Sequence, residues 1–180
     1  MTWDEYFLKI AETVALRSKD PSTKVGSVIV DQHHRPVSFG YNGLPQGADE
    51  SKLTLSERPM KYYEVIHSEM NAILFSKSDL TGCTLYVQYA PCVDCLKHVL
   101  QAGITRIVYQ KLRVESYKKQ PKSMENNTTD DAIIALLSSM PHVETLNITN
   151  GRTYLEDLRA EDWVRAWRRI AWMKSFLAAV

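Results

Sequence analysis

The chain has 180 residues, of which 44% are hydrophobic, and its 22 Lys and Arg residues nearly balance its 21 Asp and Glu residues. This length and composition fit one compact domain and exclude a disordered or fibrous chain. The formal net charge of +1 disfavours polynucleotides and anionic membranes as partners, because binding them usually requires a strong basic excess. The first residues do not resemble a secretory signal and no apolar stretch approaches a membrane span, so we expect a cytoplasmic protein, or one of the host cytoplasm if viral.

The first third of the chain predicts a helix, a hairpin and a long loop. Apolar residues recur at helical spacing between Trp3 and Ser18, and Thr2 is a suitable N-cap. Residues 25–30 and 36–41 are two strand-like segments joined by a polar connection, which is typical of an antiparallel hairpin. Residues 42–60 contain two glycines and two prolines and predict a long irregular loop, a kind of segment that commonly carries function.

The middle of the chain alternates predicted helices and strands. Residues 66–76 and 93–102 have the pattern of helices, whereas residues 84–89 and 104–110 have the pattern of strands. The resulting order, β-β-α-β-α-β, predicts an α/β sandwich whose mixed sheet ends in parallel strands.

The last part of the chain is less informative. Residues 111–129 are polar and basic, residues 131–140 predict a helix, residues 143–148 a strand and residues 155–177 a long helix. We expect residues 1–180 to form a single domain, in which an atypical helix-strand-helix part, residues 111–180, packs on the core formed by the preceding residues.

Two short motifs indicate chemistry. Cys92 and Cys95 are separated by two residues at a predicted helix start, and His67 at a second helix start completes a set of three metal ligands. A structural zinc site would be expected to have a fourth ligand, but the remaining Cys83 stands alone on a predicted strand. A three-ligand site admits a water molecule, which zinc activates. Glu69 is only two residues from His67 and is therefore placed to transfer a proton of that water. A structural metal knuckle and a redox-active cysteine pair are the alternatives.

The H-x-E and P-C-x-x-C motifs resemble those of the zinc-dependent nucleoside and nucleotide deaminases. Further segments, RSKDPSTKVG, GYNGLPQG, HSEMNAI, APCVDC and QAGI in this order, are similar to the deoxycytidylate deaminase family. The similarity covers about residues 3–110, the recognisable core, whereas residues 111–180 match no motif. Ser68 is one departure, because the family usually has alanine there. A small polar residue should be tolerated at a position that mainly contributes its backbone.

The resemblance implies a three-layer α/β/α sandwich with a mixed five-stranded sheet, and it assigns roles to individual residues. One catalytic zinc ion is expected on His67, Cys92 and Cys95. Glu69 is expected to protonate N3 of the pyrimidine and then to return a proton to the departing ammonia.

Substrate and effector contacts also follow from the resemblance. Asn42 is expected to contact the deoxyribose hydroxyl; the alternative is a turn residue with positive φ. Backbone groups of Ser68 and Ala90 are expected to hold the base. The family is typically oligomeric, activated by dCTP and inhibited by dTTP. The candidates for contacts with these effectors are Arg17, Lys19, Lys24, Gly40, Tyr41 and Gly43. The alternative for the three cations is a solvated helix end, where basic residues suit the helix dipole.

The function implied is the hydrolytic deamination of dCMP to dUMP and ammonia by a homo-oligomer, either a hexamer or a dimer-based assembly. Mg²⁺ would accompany a triphosphate effector. One alternative is a different cytidine nucleotide, such as base-modified dCMP or dCTP. A tRNA or single-stranded nucleic-acid base is disfavoured by the net charge. A nucleotide-binding regulator without activity would have no need of Glu69.

Overall fold

The computed structural model describes residues 1–53, 55, 57, 60–112 and 125–160, of which residues 125–129 are described by their backbone alone. The helices are α1 Trp3–Ala15, α2 Lys61–Glu64, α3 Ser68–Phe75, α4 Val93–Gln101 and α5 Glu125–Ser139, with a short 3-10 helix at Glu50–Lys52. The strands are β1 Gly26–Val30, β2 Pro36–Tyr41, β3 Thr84–Tyr89, β4 Arg106–Lys111 and β5 Glu144–Asn147. Residues 154–160 are helical.

The five strands form one mixed sheet in the order β2-β1-β3-β4-β5. Strand β1 runs antiparallel to both β2 and β3, so that Val28 lies opposite Phe39 on one side and Tyr86 on the other. Strands β3, β4 and β5 are parallel, since α4 and α5 provide the crossovers between them. This arrangement confirms the predicted mixed five-stranded sheet.

The two faces of the sheet are covered by different helices, because successive side chains of a strand point to opposite faces. One face, including Val28, Tyr86 and Val108, packs against Phe7 and Leu8 of α1. The other face packs with α3, α4 and α5, and its buried strand residues are Ile29, Leu85, Val87, Ile107 and Tyr109. The sheet is therefore the middle layer of the predicted α/β/α sandwich.

Two glycines allow helices to lie directly on the strands. A Cβ atom at Gly26 would lie 2.1 Å from the Ala11 carbonyl oxygen of α1. A Cβ atom at Gly40 would lie 2.1 Å from the Ser68 carbonyl oxygen, at the start of α3. Both contacts are with backbone atoms, so a larger residue would displace a helix. The second contact fixes the first turn of α3, which carries the candidate site.

Several element boundaries differ from the sequence prediction. Helix α3 begins at Ser68 rather than residue 66, because Ile66 pairs with Gly43 in an isolated antiparallel bridge. The predicted loop is followed by α2, which the pattern did not indicate, and α5 begins at Glu125 instead of residue 131. Cys83 precedes β3 instead of lying on it.

The C-terminal part contributes to the same core as the family-like part. Ile133, Leu137, Tyr154 and Leu158 are buried in the cluster that contains Leu96. The predicted long helix is described only as far as residue 160, and most of the basic segment lies outside the described residues. The domain organisation stays a prediction. None of the helices in the described ranges has the length and apolar character needed to cross a bilayer.

Candidate metal centre and active site

The three predicted metal ligands meet where two helices begin. His67 is the N-cap of α3 and Cys92 is the N-cap of α4, whose first turn contains Cys95. His67 Nδ1 lies 3.3 Å from Cys95 Sγ and 3.5 Å from Cys92 Sγ. The three ligand atoms all lie within 4.8 Å of one another, and no other group of three possible ligands occurs among the described residues.

This geometry fits zinc. Zinc–nitrogen bonds of about 2.0–2.1 Å and zinc–sulfur bonds of about 2.3 Å, at tetrahedral angles, separate the nitrogen and sulfur ligands by about 3.5 Å. The two nitrogen–sulfur distances found here, 3.3 and 3.5 Å, agree with that separation. Two sulfurs and one imidazole nitrogen are also the ligand types that zinc prefers. The three side chains are therefore suited to one zinc ion with one position left open.

The electrostatics of the cluster also favour a cation. Hydrogen bonding from the Cys95 side chain, followed by interactions with His67, lowers the pKa of Cys92 far below that of an ordinary thiol, although burial opposes the shift. Cys92 is therefore a thiolate at neutral pH, the form that binds metals.

Glu69 lies in the first turn of α3 and is only 3% exposed. Its Oε2 accepts a hydrogen bond of 2.9 Å from Ser68 Oγ. Ser68 Oγ in turn lies 2.7 Å from Ser27 Oγ of strand β1. Sequence reasoning did not single out Ser27, yet a hydroxyl inside the otherwise apolar segment Gly26–Val30 was a visible signal of a buried polar contact.

Asn42 is buried, and its side-chain amide forms hydrogen bonds within the chain itself. Nδ2 donates to Asp20 Oδ2 and to the Thr23 carbonyl oxygen, and Oδ1 accepts from the Val25 amide. Positive φ is found at one non-glycine residue of the described chain, His34, so the alternative of a positive-φ turn at Asn42 is wrong. The proposed sugar contact of Asn42 stays a prediction.

The two residues predicted to hold the base through their backbones are both buried. Ser68 is at the start of α3 and Ala90 follows β3. The Ala90 amide donates to the Lys111 carbonyl oxygen at 2.9 Å. A base contact at Ala90 would therefore use its carbonyl oxygen, and the assignment stays a prediction.

The predicted effector residues have diverse surroundings. Lys19 forms an exposed ion pair of 2.6 Å with Glu50, whereas Arg17 and Lys24 are exposed. Tyr41 is partly exposed, and its carbonyl oxygen accepts from Asn71. Gly40 is buried against α3, and Gly43 forms the bridge to Ile66 described above. Their roles toward an effector stay predictions.

A buried ion pair near Asn42 was not expected from the sequence. Lys61 Nζ of α2 lies 2.6 Å from Asp20 Oδ2, and the two side chains are 8% and 2% exposed. Burial raises the pKa of Asp20, but hydrogen bonds from Lys61 and from the Ser22 backbone outweigh it, so the pKa lies below its ordinary value. The two residues are 41 positions apart, and no local pattern reveals such a pair.

A second unexpected contact reaches the metal centre from the C-terminal part. Tyr154, which is buried, donates its hydroxyl hydrogen to the Pro91 carbonyl oxygen at 2.8 Å. Pro91 immediately precedes the candidate ligand Cys92. A residue outside the recognisable motifs therefore contacts the turn that carries a candidate ligand.

Comparisons with known proteins agree with this site. Residues 1–111 match the family model of the cytidine and deoxycytidylate deaminase zinc-binding region. An uncharacterized deaminase of Aliivibrio fischeri is 47% identical over 105 residues, which cover 58% of this chain and 70% of that protein. Human deoxycytidylate deaminase is 39% identical over 115 residues, which cover 61% of this chain. The chain spans 65% of the human protein's length, slightly under two thirds.

A solved structure is similar over most of both chains. The dCMP deaminase of the cyanophage S-TIM5, in complex with dCMP and dUMP, has a TM-score of 0.58 and 25% sequence identity. The similarity covers 80% of this chain and 95% of the phage chain. It therefore extends beyond the residues that the family model matches.

Proposed function

Because the chain belongs to the cytidine and deoxycytidylate deaminase family, we propose that it hydrolyses dCMP to dUMP and ammonia with one zinc ion. The observation that carries the proposal is the convergence of one imidazole nitrogen and two cysteine sulfurs within 4.8 Å, with a buried carboxylate two residues beyond the histidine. The names of the relatives and the ligands of the phage enzyme support dCMP as the substrate.

The roles of the side chains follow from their chemistry. His67, Cys92 and Cys95 hold the zinc ion, which when bound supplies Lewis-acid activation of water for attack on the carbon that bears the amine. Glu69 would take up a proton from the attacking water and pass it to N3 of the pyrimidine. It would then take up the proton of the new C4 hydroxyl and deliver it to the departing amine, which leaves as ammonia. Its burial and its position in the first turn of α3, two residues after His67, support this role.

Other substrates are distinguished by chemistry. Base-modified dCMP or dCTP would use the same metal centre and differ only in contacts to the base or phosphates. A tRNA or single-stranded base needs a basic groove, and the net charge of +1 does not favour one. A regulator without activity is disfavoured by the position of Glu69.

Regulation and context complete the proposal. Binding of dCTP or dTTP through the loop that contains Tyr41 and Asn42, with Mg²⁺ accompanying the triphosphate, is the proposed control. The proposed assembly is a hexamer or a dimer-based homo-oligomer, and the proposed location is the cytoplasm. A dCTP titration that leaves the kinetics hyperbolic and unchanged would exclude the allosteric part.

The decisive experiment is an ammonia-release assay on the zinc-loaded protein. The substrates are dCMP, CMP, dCTP, 5-substituted dCMP and single-stranded DNA, each with and without dCTP as effector. We expect dCMP to have the highest kcat/KM. Glu69→Gln should retain zinc and lose at least about 100-fold in rate, because it cannot transfer protons. Activity on single-stranded DNA alone would contradict the proposal.

A further inference from the structure

Two hydroxyl groups connect strand β1 with the proposed proton-transfer group, Glu69. Ser27 Oγ on β1 lies 2.7 Å from Ser68 Oγ on α3, and Ser68 Oγ lies 2.9 Å from Glu69 Oε2. Ser27 and Ser68 are both completely buried. Because no water competes at such positions, these hydrogen bonds hold the groups in fixed orientations.

The direction of the hydrogen bonds follows from the chemistry of the groups. The Ser68 hydroxyl donates its proton to Glu69 Oε2. A hydroxyl has a single proton, and Ser68 has used it, so Ser27 must donate to Ser68. The order is therefore Ser27 to Ser68 to Glu69, and Ser27 orients the Ser68 hydroxyl toward the carboxylate.

The two oxygens of Glu69 are not equivalent. Oε2 is bound by Ser68, whereas Oε1 has no hydrogen bond to any of the described residues. Every fully buried side-chain oxygen and nitrogen in the described part of the chain has a hydrogen-bond partner. Because Oε1 has none, it is not fully buried and another group can reach it. Oε1 is thus the oxygen available for proton transfer.

We propose that Ser68 is a positioning residue, which together with Ser27 fixes the Glu69 carboxylate so that Oε1 faces the substrate. This inference depends on the proposed deaminase function. It also changes the expected role of residue 68. Ser68, the position at which the family usually has alanine, contributes its side chain as well as its backbone. The backbone is held independently by the close approach of Gly40.

The experiment compares Ser68→Ala, Ser27→Ala and the double variant in the zinc-loaded protein, with the best substrate of the assay above. Ser68→Ala should lower kcat about tenfold and leave KM and zinc content unchanged, because it loses one hydrogen bond to a charged group. Ser27→Ala should lower kcat two- to threefold. The double variant should equal Ser68→Ala, because Ser27 acts only through Ser68.

Binding measurements give a readout that does not depend on turnover. A tetrahydropyrimidine deoxynucleotide with a hydroxyl at C4 resembles the hydrated intermediate, whereas dUMP resembles the product. Ser68→Ala should weaken binding of the analogue about tenfold and leave the Kd of dUMP unchanged, since a group that positions Glu69 acts mainly in the transition state.

Ser38→Ala is the matched control. Ser38 is a buried serine on the neighbouring strand β2, and its hydroxyl donates 2.6 Å to the Ala72 carbonyl oxygen of the same helix α3. This variant should lose a buried hydrogen bond without changing kcat.

Three results would overturn the positioning role. They are a kcat of Ser68→Ala within twofold of wild type, additive losses in the double variant, and an equal loss of kcat in Ser38→Ala. If instead the wild-type protein deaminates none of the tested substrates, the proposed function fails as well, so the two failures are distinguishable.

Discussion

The buried polar group around Asp157 differs from the candidate metal centre, because the chain's own donors satisfy it. Asp157, in the C-terminal part, is 3% exposed. Its Oδ2 accepts hydrogen bonds of 2.8 Å from Tyr109 and 2.7 Å from Asn147, and its Oδ1 accepts one of 2.9 Å from Asn150. Burial and the bond to Asp157 raise the pKa of Tyr109, so this donor keeps its proton.

The centre formed by His67, Cys92 and Cys95 is built in the opposite way. It brings together three atoms that bind metals through lone pairs, and the lowered pKa of Cys92 makes one of them an anion. Lone pairs and negative charge at this distance favour a cation between them. Burial of polar groups alone therefore does not indicate a functional site. The balance of donors and acceptors separates a structural centre from one that binds an ion.

The largest expected effect is on the metal centre. Cys95→Ala should weaken zinc binding more than 100-fold, beyond the roughly 10–100-fold typical of residues that only support a ligand, and should abolish turnover. Metal analysis after dialysis measures the effect. Cys83→Ala, which removes a buried cysteine outside the centre, should retain one zinc per chain. A Cys95→Ala protein with full zinc content would contradict the assigned ligand set.

The Asp157 centre should respond in stability and not in zinc content. Asp157→Ala leaves the buried donors of Tyr109 and Asn147, and the exposed Asn150 amide, without their acceptor. It should lower the free energy of unfolding by about 3 kcal/mol. Urea denaturation measures it. Glu50→Ala, which removes one member of an exposed ion pair with Lys19, should change stability by less than about 1 kcal/mol. Loss of zinc from folded Asp157→Ala would show that the two centres are not independent.

The partly buried ion pair of Asp4 with Arg106, at the start of α1, tests how burial affects the contribution of a polar group to stability. Asp4 accepts hydrogen bonds of 2.7 and 2.9 Å from Arg106, and these, together with one from Tyr86, lower its pKa despite partial burial. The folded pKa is depressed, so this contribution is present above about pH 4 and lost as the pH falls through the folded value.

Asp4→Asn should therefore be less stable than wild type by about 1.5 kcal/mol at pH 7. The difference should shrink below about pH 4, where the wild-type carboxyl takes up a proton. Denaturation curves recorded from about pH 2 to about pH 7 measure this difference, because the range extends from below to above the ordinary pKa of an aspartate. A difference that stays constant with pH would exclude Arg106 as the cause of the stabilisation.

The smallest expected effect concerns the link between the C-terminal part and the metal centre. Tyr154→Phe removes the hydrogen bond to the Pro91 carbonyl oxygen and should lower the free energy of unfolding by about 1 kcal/mol. Because Pro91 precedes Cys92, release of zinc to a chelator should become a few-fold faster. Unchanged release would mean that the C-terminal part supports the fold and not the ligand turn.

Sequence reasoning brings out most clearly those residues that share a chemical role and are close neighbours in the chain. The C-x-x-C pair and the H-x-E motif each lie at a helix start, so their local geometry is nearly independent of the rest of the fold. The strands were equally easy to predict from the sequence, because β1 and β3 are buried, mostly apolar segments. Boundaries were less accurate where a tertiary contact overrides the local pattern, as in the bridge that keeps Ile66 out of α3.

Local sequence was enough to predict the candidate metal ligands, the nearby carboxylate and the layered α/β architecture, because periodicity and motif spacing are properties of neighbouring residues. The partners of the buried polar groups, in contrast, depend on tertiary packing. Ser27 with Ser68, Asp20 with Lys61 and Tyr154 with Pro91 are separated by 41, 41 and 63 positions. A buried hydrogen bond depends on which side chains the packing of sheet and helices brings within about 3 Å, and no local pattern records that distance.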